Sequence, residues 1–311
     1  MHILIAGGSG QIGTLLTRAF TAGGHWVTTL SRRPGTADNW LQWDGCSVNA
    51  LADPIECADV VINLIGRSVN CRYHAANRSE ILSSRVNSTR SIGQAIAAAN
   101  NPPAVWLQAS TATIYAHRFD APNDEITGMI GGEEANAPDT WRFSIEVARA
   151  WEAAAKEFSS MRTRLVLLRS AMTMSPDTGG VFDVMLGLAR RGLGSTQGDG
   201  RQYVSWIHER DFVRAIYWLI SHEIEGAVNV CSPDPLPNEE FMRVLRQEAG
   251  IKFGIPTRQW MLEIGARLLN TETELVLKSR RVEPGRLLEA GFEFEFEHWR
   301  DAARDLMARI A

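Results

Sequence analysis

Three glycines near the N-terminus have a spacing that could bind the phosphates of a dinucleotide. Gly7, Gly10 and Gly13 follow the apolar run 3–5 directly and precede a helical pattern of apolar residues. In a strand-turn-helix unit, the first glycine permits the tight turn, the second lets a pyrophosphate approach, and the third lets the helix lie close to the strand. The N–H groups at the helix start then face the phosphates. The spacing therefore predicts a dinucleotide site, with a plain strand-to-helix turn as the alternative.

The end of the second predicted strand indicates which dinucleotide is bound. Residues 25–30 have the pattern of a strand, and Ser31, Arg32 and Arg33 follow it. A site selective for NAD has an acid at about this distance from the glycines, where it binds the ribose 2′-hydroxyl. Here a hydroxyl and two guanidinium groups stand in its place, and these suit a 2′-phosphate. The sequence favours NADP(H) over NAD(H), and two merely solvated arginines are the alternative.

Composition excludes several classes of protein. The 311 residues carry a net charge of −4 and no basic block, which argues against nucleic acid or an anionic membrane as a partner. No apolar run approaches the roughly 18 residues of a membrane-spanning helix, and we expect no leader before the first strand. The four cysteines lack C-x-x-C spacing, so we expect reduced thiols and a cytoplasmic location. No cluster has metal-ligand spacing, and we expect no metal.

The order of the predicted elements indicates an α/β fold. Strands alternate with helices through the first half of the chain, which is typical of a Rossmann-type doubly wound parallel sheet. We assign residues 1–170 to this NADP-binding domain, with segments near 200–230 returning to it. Residues 171–311 are expected to form mainly a smaller mixed α/β substrate lobe and a C-terminal extension. The alternating run Phe292 to Phe296 predicts an edge strand of that lobe.

Several motifs along the chain occur together in one family. They are the three glycines, Asn63-Leu-Ile-Gly66, Asn87-Ser-Thr89, Ser110-Thr-Ala-Thr-Ile-Tyr115 and Trp206-Ile-His-Glu-Arg-Asp211. Together they resemble the extended short-chain dehydrogenase/reductases, the NAD(P)-dependent epimerase/dehydratase family. The segments Ser84-Arg-Val-Asn87 and Arg281-Val-Glu-Pro284 are similar to those of an atypical, epimerase-like branch whose substrates are undefined.

This resemblance implies roles for individual residues. Thr111 falls at the catalytic Ser/Thr position, where it would polarise a hydroxyl or carbonyl of a small-molecule substrate. The resemblance implies an oxidoreductase or epimerase-like activity on a carbonyl or sugar-nucleotide type of substrate, in a monomer or homodimer. The residues that would line the cofactor are Gly7, Ser9, Gly10, Gln11, Ile12, Gly13, Ser31, Arg32, Arg33, Asp44, Leu64, Ile65, Gly66, Asn87 and Ala171. For Asp44, spacing alone favours a turn residue.

One departure from the family pattern limits the prediction of function. Family members that transfer hydride use a Tyr-x-x-x-Lys pair, in which the lysine lowers the pKa of the tyrosine and the phenol exchanges a proton with the substrate. Counting back from Glu152, Ser144 and Ala148 occupy these two places. No tyrosine elsewhere in the chain has a lysine four residues later.

Three interpretations remain. In the first, the protein is an NADP-dependent enzyme in which another group near Thr111 takes the proton. Tyr115 and His117 are nearest in sequence, with a packed aromatic and a plain loop histidine as their alternatives. In the second, the protein binds NADP(H) without turnover, as a redox sensor or regulatory protein. A structural role with a vestigial glycine loop is third, and Arg32 with Arg33 argues against it.

Overall fold

A parallel sheet lies at the centre of the molecule. The computed structural model describes residues 1–35, 39–135, 137–159, 162–268 and 270–310. The strands are β1 (His2–Ala6), β2 (Trp26–Ser31), β3 (Trp40–Gln42), β4 (Val60–Asn63), β5 (Val105–Thr111), β6 (Arg164–Ser170), β7 (Met172–Met174), β8 (Tyr203–Val204), β9 (Trp206–His208), β10 (Gly226–Val230) and β11 (Leu236–Pro237).

Helices connect most of these strands. The helices are α1 (Gln11–Ala22), α2 (Ala52–Glu56), α3 (Ala75–Ala98), α4 (Asp139–Lys156), α5 (Val181–Arg190), α6 (Glu209–Ser221), α7 (Asn238–Glu248), α8 (Gln259–Leu268), α9 (Glu274–Leu277), α10 (Gly285–Glu289) and α11 (Trp299–Ala308). Short 3-10 turns lie at Asn49–Leu51 and Ala112–Ile114. Within the described ranges, no helix is long and apolar enough to cross a membrane.

The main sheet has the doubly wound order that the sequence predicts. Over the described residues it contains seven strands in the order β10-β6-β5-β4-β1-β2-β3, all paired in parallel. The chain moves outward from β1 to β3, and then crosses back to β4 on the other side of β1. The carboxyl ends of β1 and β4 therefore meet at the switch point, where open α/β sheets bind ligands.

Both faces of this sheet are covered by helices. Along β1, Ile3 and Ile5 pack with apolar residues of α1 and α6, whereas Leu4 and Ala6 point to the opposite face and pack with residues of α3 and α4. Since successive side chains of a strand point to opposite faces, burial on both faces requires the continuous apolar runs of these strands. This burial leaves the sheet edges and the strand ends as the places for polar side chains.

The later part of the chain builds a second apolar cluster and also returns to the main sheet. Helices α5, α7 and α11 pack around buried aromatic residues, including Phe182, Phe241 and Trp299. Phe241 and Trp299 stack with their ring centroids 4.0 Å apart. In contrast, β10 pairs with β6 at the edge of the main sheet. Residues beyond 170 therefore contribute both to the sheet and to the additional lobe.

The predicted strand at Phe292–Phe296 is wrong. This run has no strand pairing in the described structure, although its three phenylalanines are buried and its glutamates are exposed as the alternation indicates. The N–H groups of Glu295 and Phe296 instead donate to the Asp211 carboxylate, each at 2.8 Å. Asp211 is fully buried and also forms an ion pair with Arg214 at 2.9 Å. A side-chain carboxylate thus replaces the partner strand.

Replacing Asp211 with alanine is expected to destabilise the fold. The change leaves two N–H groups without their acceptor and should lower the free energy of unfolding by about 3 kcal/mol. Chemical denaturation monitored by tryptophan fluorescence measures this loss. Glu293→Ala, at an exposed position of the same run, is the control and should unfold as the wild type does. Equal stability of the two variants would contradict this account of the run.

Candidate functional site

The glycine turn after β1 has the close packing that its spacing predicts. Gly7 has a φ of +85°, which favours glycine, and its N–H donates to the Leu30 carbonyl oxygen at 2.9 Å. A Cβ added at Gly13 would lie 2.5 Å from the Gly8 Cα and 2.6 Å from the Gly7 oxygen. Helix α1 therefore rests against the turn at a distance that only glycine allows.

Gly10 differs from these two glycines. Its φ of −78° is available to any residue, and an added Cβ would meet only the Gly7 carbonyl oxygen, at 3.4 Å. Neither the backbone nor the packing of the described residues therefore requires glycine at this position. A molecule that approaches the start of α1 closely would require it. The turn consequently fits a pyrophosphate better than it fits a purely structural corner.

Polar groups gather where β2 ends. The Ser31 hydroxyl donates to Ser9 Oγ at 3.0 Å and accepts from the Arg33 N–H at 3.2 Å, which ties this end to the glycine turn. Arg32 and Arg33 are exposed, and neither guanidinium forms a hydrogen bond or ion pair with another residue in the described ranges. Two cationic groups are therefore available to an anion beside the turn.

The end of β4 lies against the same turn. A Cβ on Gly7 would approach the Leu64 carbonyl carbon to 3.1 Å, and one on Gly66 would approach the Arg85 guanidinium carbon to 2.8 Å. The Asn63 side chain is fully buried and accepts a hydrogen bond from the Ile65 N–H at 3.1 Å, which fixes the backbone of this loop. Asn87 is exposed on α3, the helix that follows.

Asp44 is a turn residue in the structure. Its carboxylate accepts from the N–H groups of Cys46 and Ser47, each at 2.8 Å, and from the Ser47 hydroxyl at 2.5 Å. The Ser47 hydroxyl and these N–H groups hold the pKa of Asp44 well below its usual range. Asp44 is therefore observed as a turn residue, which is the alternative that its spacing favours. Its predicted contact with the cofactor stays a prediction.

Thr111 ends β5 at the carboxyl edge. Its Oγ1 accepts from the Thr113 N–H at 3.2 Å and so begins the 3-10 turn that follows. Thr111 pairs with Ser170, the last residue of β6, so that Ala171 leaves the sheet beside it. The structure thereby places the ends of β5 and β6 side by side. Thr111 at the end of β5 and Ala171 after the end of β6 are the residues predicted to take part in the reaction.

Tyr115 lies inside a buried network. Its hydroxyl donates to Asn229 Oδ1 and accepts from Arg169 Nη1, both at 2.9 Å, and the side chain is 2% exposed. Arg169 also forms a bidentate ion pair with Glu152. Burial raises the pKa of Tyr115. These contacts favour the packed aromatic over the catalytic residue as the interpretation of Tyr115.

His117 also has a structural partner. Its Nδ1 accepts from the Ser279 N–H at 2.8 Å, and its ring packs 4.9 Å from that of Phe119. Burial lowers the pKa of His117. The His117 ring therefore connects Ser279, which is distant in sequence, to the loop after β5. This structural role favours the interpretation of His117 as a plain loop histidine.

The two places of the absent Tyr-x-x-x-Lys pair lie one turn apart on α4. Ala148 is fully buried and packs in an apolar cluster with Ile114, Tyr115 and Val282. The Ser144 hydroxyl donates to Glu274 Oε2 at 2.5 Å. Neither residue of α4 can take over the proton chemistry of the pair, and one of them holds a carboxyl from near the C-terminus.

Residues 271–282, which we name the C-terminal segment, cross the carboxyl edge of the sheet. Glu272 accepts from the Tyr73 N–H at 2.7 Å. Lys278 Nζ donates to the Thr113 carbonyl oxygen at 2.6 Å, and Arg280 Nε donates to Thr113 Oγ1 at 3.0 Å. Sequence reasoning missed this contribution. A usable signal is the density of charged residues in this segment, which includes one of only three lysines in the chain.

Metal-ligating side chains do not gather in the described part of the chain. No group of three or more His, Cys, Asp and Glu residues there is placed to hold a metal ion. All four cysteines are free, two of them exposed and two buried. The polar groups at the strand ends are therefore the candidate site.

Comparison with known families shows which family the chain belongs to. The family model described as NAD dependent epimerase/dehydratase family matches residues 3–231. The chain belongs to this family. A second model, a domain of unknown function called DUF1731, matches residues 259–306 and thus includes the C-terminal segment. The resemblance that the sequence motifs indicate is confirmed.

Several relatives are similar over almost their full length. Epimerase family protein SDR39U1 of Bos taurus is 31% identical over 99% of this chain and 100% of the relative, and its Homo sapiens counterpart is 29% identical. The crystal structure of the human protein (isoform2) with NADPH has a TM-score of 0.85 at 28% identity and covers 99% of both chains. UDP-N-acetylglucosamine 4-epimerase from Bacillus cereus, at 16% identity and a TM-score of 0.75, shares the fold.

Tyr115→Phe is expected to affect stability and leave nucleotide binding intact. The change removes one hydroxyl from a buried network and should lower the free energy of unfolding by about 1–2 kcal/mol. Thermal or urea unfolding measures the loss. Tyr203→Phe is the control, because the Tyr203 hydroxyl forms no hydrogen bond within the described ranges. Wild-type stability combined with a loss of activity in Tyr115→Phe would restore the catalytic interpretation.

Proposed function

We propose that this protein binds NADP(H) at the carboxyl edge of the sheet and acts as an oxidoreductase or epimerase-like enzyme on a small molecule. The observation that carries the proposal is the pair of exposed guanidinium groups of Arg32 and Arg33 beside the glycine turn, which have no partner among the described residues. A 2′-phosphate carries the charge that they would bind. The NADPH in the structure of the human relative supports the same cofactor.

The residues present fit such a cofactor. The start of α1, from Gln11 to Gly13, would offer N–H groups to the pyrophosphate, and the position of Gly10 leaves it room. Ser31, Arg32 and Arg33 would hold the 2′-phosphate. The further residues that would line the cofactor are Gly7, Ser9, Gln11, Ile12, Asp44, Leu64, Ile65, Gly66, Asn87 and Ala171.

The bound cofactor would supply hydride exchange at its nicotinamide. Thr111 would polarise a carbonyl or hydroxyl of the substrate, which we expect to be of the carbonyl or sugar-nucleotide type. In this proposal, residues 1–170 bind the cofactor, together with segments near 200–230, and residues 171–311 mainly enclose the substrate. A cytoplasmic location fits four free thiols.

A specific observation favours a second candidate function. Ser144 and Ala148 replace the proton-transfer pair of the family. A protein that binds NADP(H) without turnover, as a redox sensor or regulatory protein, needs the cofactor site and no such pair. The two candidates share the binding site and differ in chemistry.

Arg32→Ala is expected to weaken NADPH binding and to affect NADH little. Loss of a charge-assisted contact with the 2′-phosphate corresponds to a roughly 10- to 100-fold weaker affinity. Quenching of tryptophan fluorescence during titration of the purified protein measures both affinities. Arg304→Ala, at an exposed position of α11, is the control. A parallel loss for NADPH and NADH, or no binding of either nucleotide, would overturn the proposed cofactor preference.

Thr111→Ala separates the enzyme from the sensor. With a carbonyl substrate found by screening, the enzyme should oxidise NADPH, and the variant should lose about 10²-fold or more of that activity because a group that polarises the substrate is gone. Absorbance of NADPH measures the rate, and the fluorescence titration confirms that the variant still binds it. Tight NADPH binding with no turnover across the screen would favour the sensor.

A further inference from the structure

The C-terminal segment places a carboxyl beside the position where the family tyrosine is missing. The Glu274 carboxyl accepts a hydrogen bond from Ser144, and a tyrosine at position 144 would extend its phenol far beyond a serine hydroxyl in the same direction. The two residues are 130 positions apart in sequence. Glu274 is 1% exposed. A small residue on α4 thus leaves space that a buried acid from another element fills.

The surroundings of this acid are charged on several sides. Arg280 Nη2 lies 3.9 Å from Glu274 Oε1, and Lys278 and Glu272 on the same segment contribute charges of both signs. From the loop after β4, Tyr73 faces the same cluster. Among the described residues, Glu274 Oε1 has no hydrogen-bond partner. An acceptor buried in this way is costly, and an incoming hydroxyl or protonated group would satisfy it.

The protonation states in this cluster suit proton exchange. Burial raises the pKa of Glu274, so that its acid form persists to higher pH than that of an exposed carboxyl. Burial also lowers the pKa of Lys278 to about 8 and raises that of Tyr73 to about 12. Burial therefore moves the pKa of the carboxyl from its ordinary value toward neutral pH and moves the pKa of the phenol away from it.

The cluster is fixed to the strand ends that carry the proposed reaction. Lys278 and Arg280 both bond to Thr113, two residues after Thr111 on the turn that Thr111 begins. The segment is thus held at the predicted catalytic strand end by side chains with buried charges. An anchoring role alone would not require an acid with one oxygen that accepts no hydrogen bond from the described residues.

We propose that Glu274 exchanges the proton that the missing tyrosine would exchange, with Ser144 and Arg280 as positioning residues. The proposal rests on the NADP(H) binding proposed above. In reduction, a hydride passes from nicotinamide C4 to the carbonyl carbon, and the carbonyl oxygen takes the proton of the Glu274 carboxyl. The products are an alcohol, NADP⁺ and a carboxylate, which water then reprotonates. Oxidation runs through the same transfers in reverse.

The cofactor itself can test this placement without a known substrate. The oxidised nicotinamide ring is cationic and the reduced ring is neutral, so a nearby Glu274 should have a lower pKa in the NADP⁺ complex than in the NADPH complex. Binding of NADP⁺ should therefore release up to about one proton more than binding of NADPH. Calorimetric titration in buffers of different ionisation enthalpy measures the number of protons released.

Glu274→Gln should abolish this difference while both nucleotides still bind. Glu272→Gln, a buried glutamate two residues away on the same segment, is the matched control and should retain the difference. Tyr73→Phe should also retain it. Ser144→Ala removes a hydrogen bond that lowers the pKa of Glu274, and should move the release to higher pH.

The outcomes separate this proposal from the proposed function. If neither NADP⁺ nor NADPH binds the wild-type protein, the proposed function fails and this proposal fails with it. If both bind with equal proton release, or if Tyr73→Phe rather than Glu274→Gln removes the difference, only the assignment to Glu274 is overturned. If Glu274→Gln does not fold, Ser144→Ala tests the assignment to Glu274. The pH dependence of its proton release should be shifted to higher pH, and an unchanged pH dependence contradicts the proposal.

Discussion

The buried ion pair between Arg169 and Glu152 holds the carboxyl edge together. Arg169 is the next-to-last residue of β6 and contacts both oxygens of Glu152 on α4, at 2.8 and 2.9 Å, with both side chains buried. The Ser110 hydroxyl of β5 donates to the same carboxylate, and the Tyr115 hydroxyl accepts from the same arginine. Buried charges are tolerated only with their partners in place, so this pair fixes α4 against the ends of two central strands.

The orientation of α4 determines which of its residues face the C-terminal segment. Ser144 precedes Glu152 by a little more than two helical turns, so the two side chains are offset by about 80° around the helix and lie on one broad face of it. Its hydroxyl meets Glu274 there, while Ala148 between them meets Val282. The position of the candidate acid thus depends on an ion pair that does not itself belong to the reaction.

The sequence was sufficient for features whose cause is local. The glycines at positions 7 and 13 follow from chain sterics within the turn, and the parallel sheet follows from the apolar runs. Contacts between distant segments decided the rest. The 292–296 run alternates as a strand does, yet the Asp211 carboxylate takes its N–H groups. Glu274 could not be found by spacing, because its partner Ser144 lies on another element and is itself a residue of no evident chemistry.

The small residues on α4 and the charged residues of the C-terminal segment depend on one another. A tyrosine at 144 would compete with the Glu274 carboxyl for the same space. A lysine at 148 would place its charged ammonium group in the apolar cluster that contains Val282 and Ile114. The apolar side chains of that cluster could not pair with the charge. The segment can cross the strand ends only because both side chains are short. The short side chains of α4 and the charged side chains of the segment are therefore structurally coupled, and in our proposal the group that moves the proton comes from the C-terminal segment and not from α4.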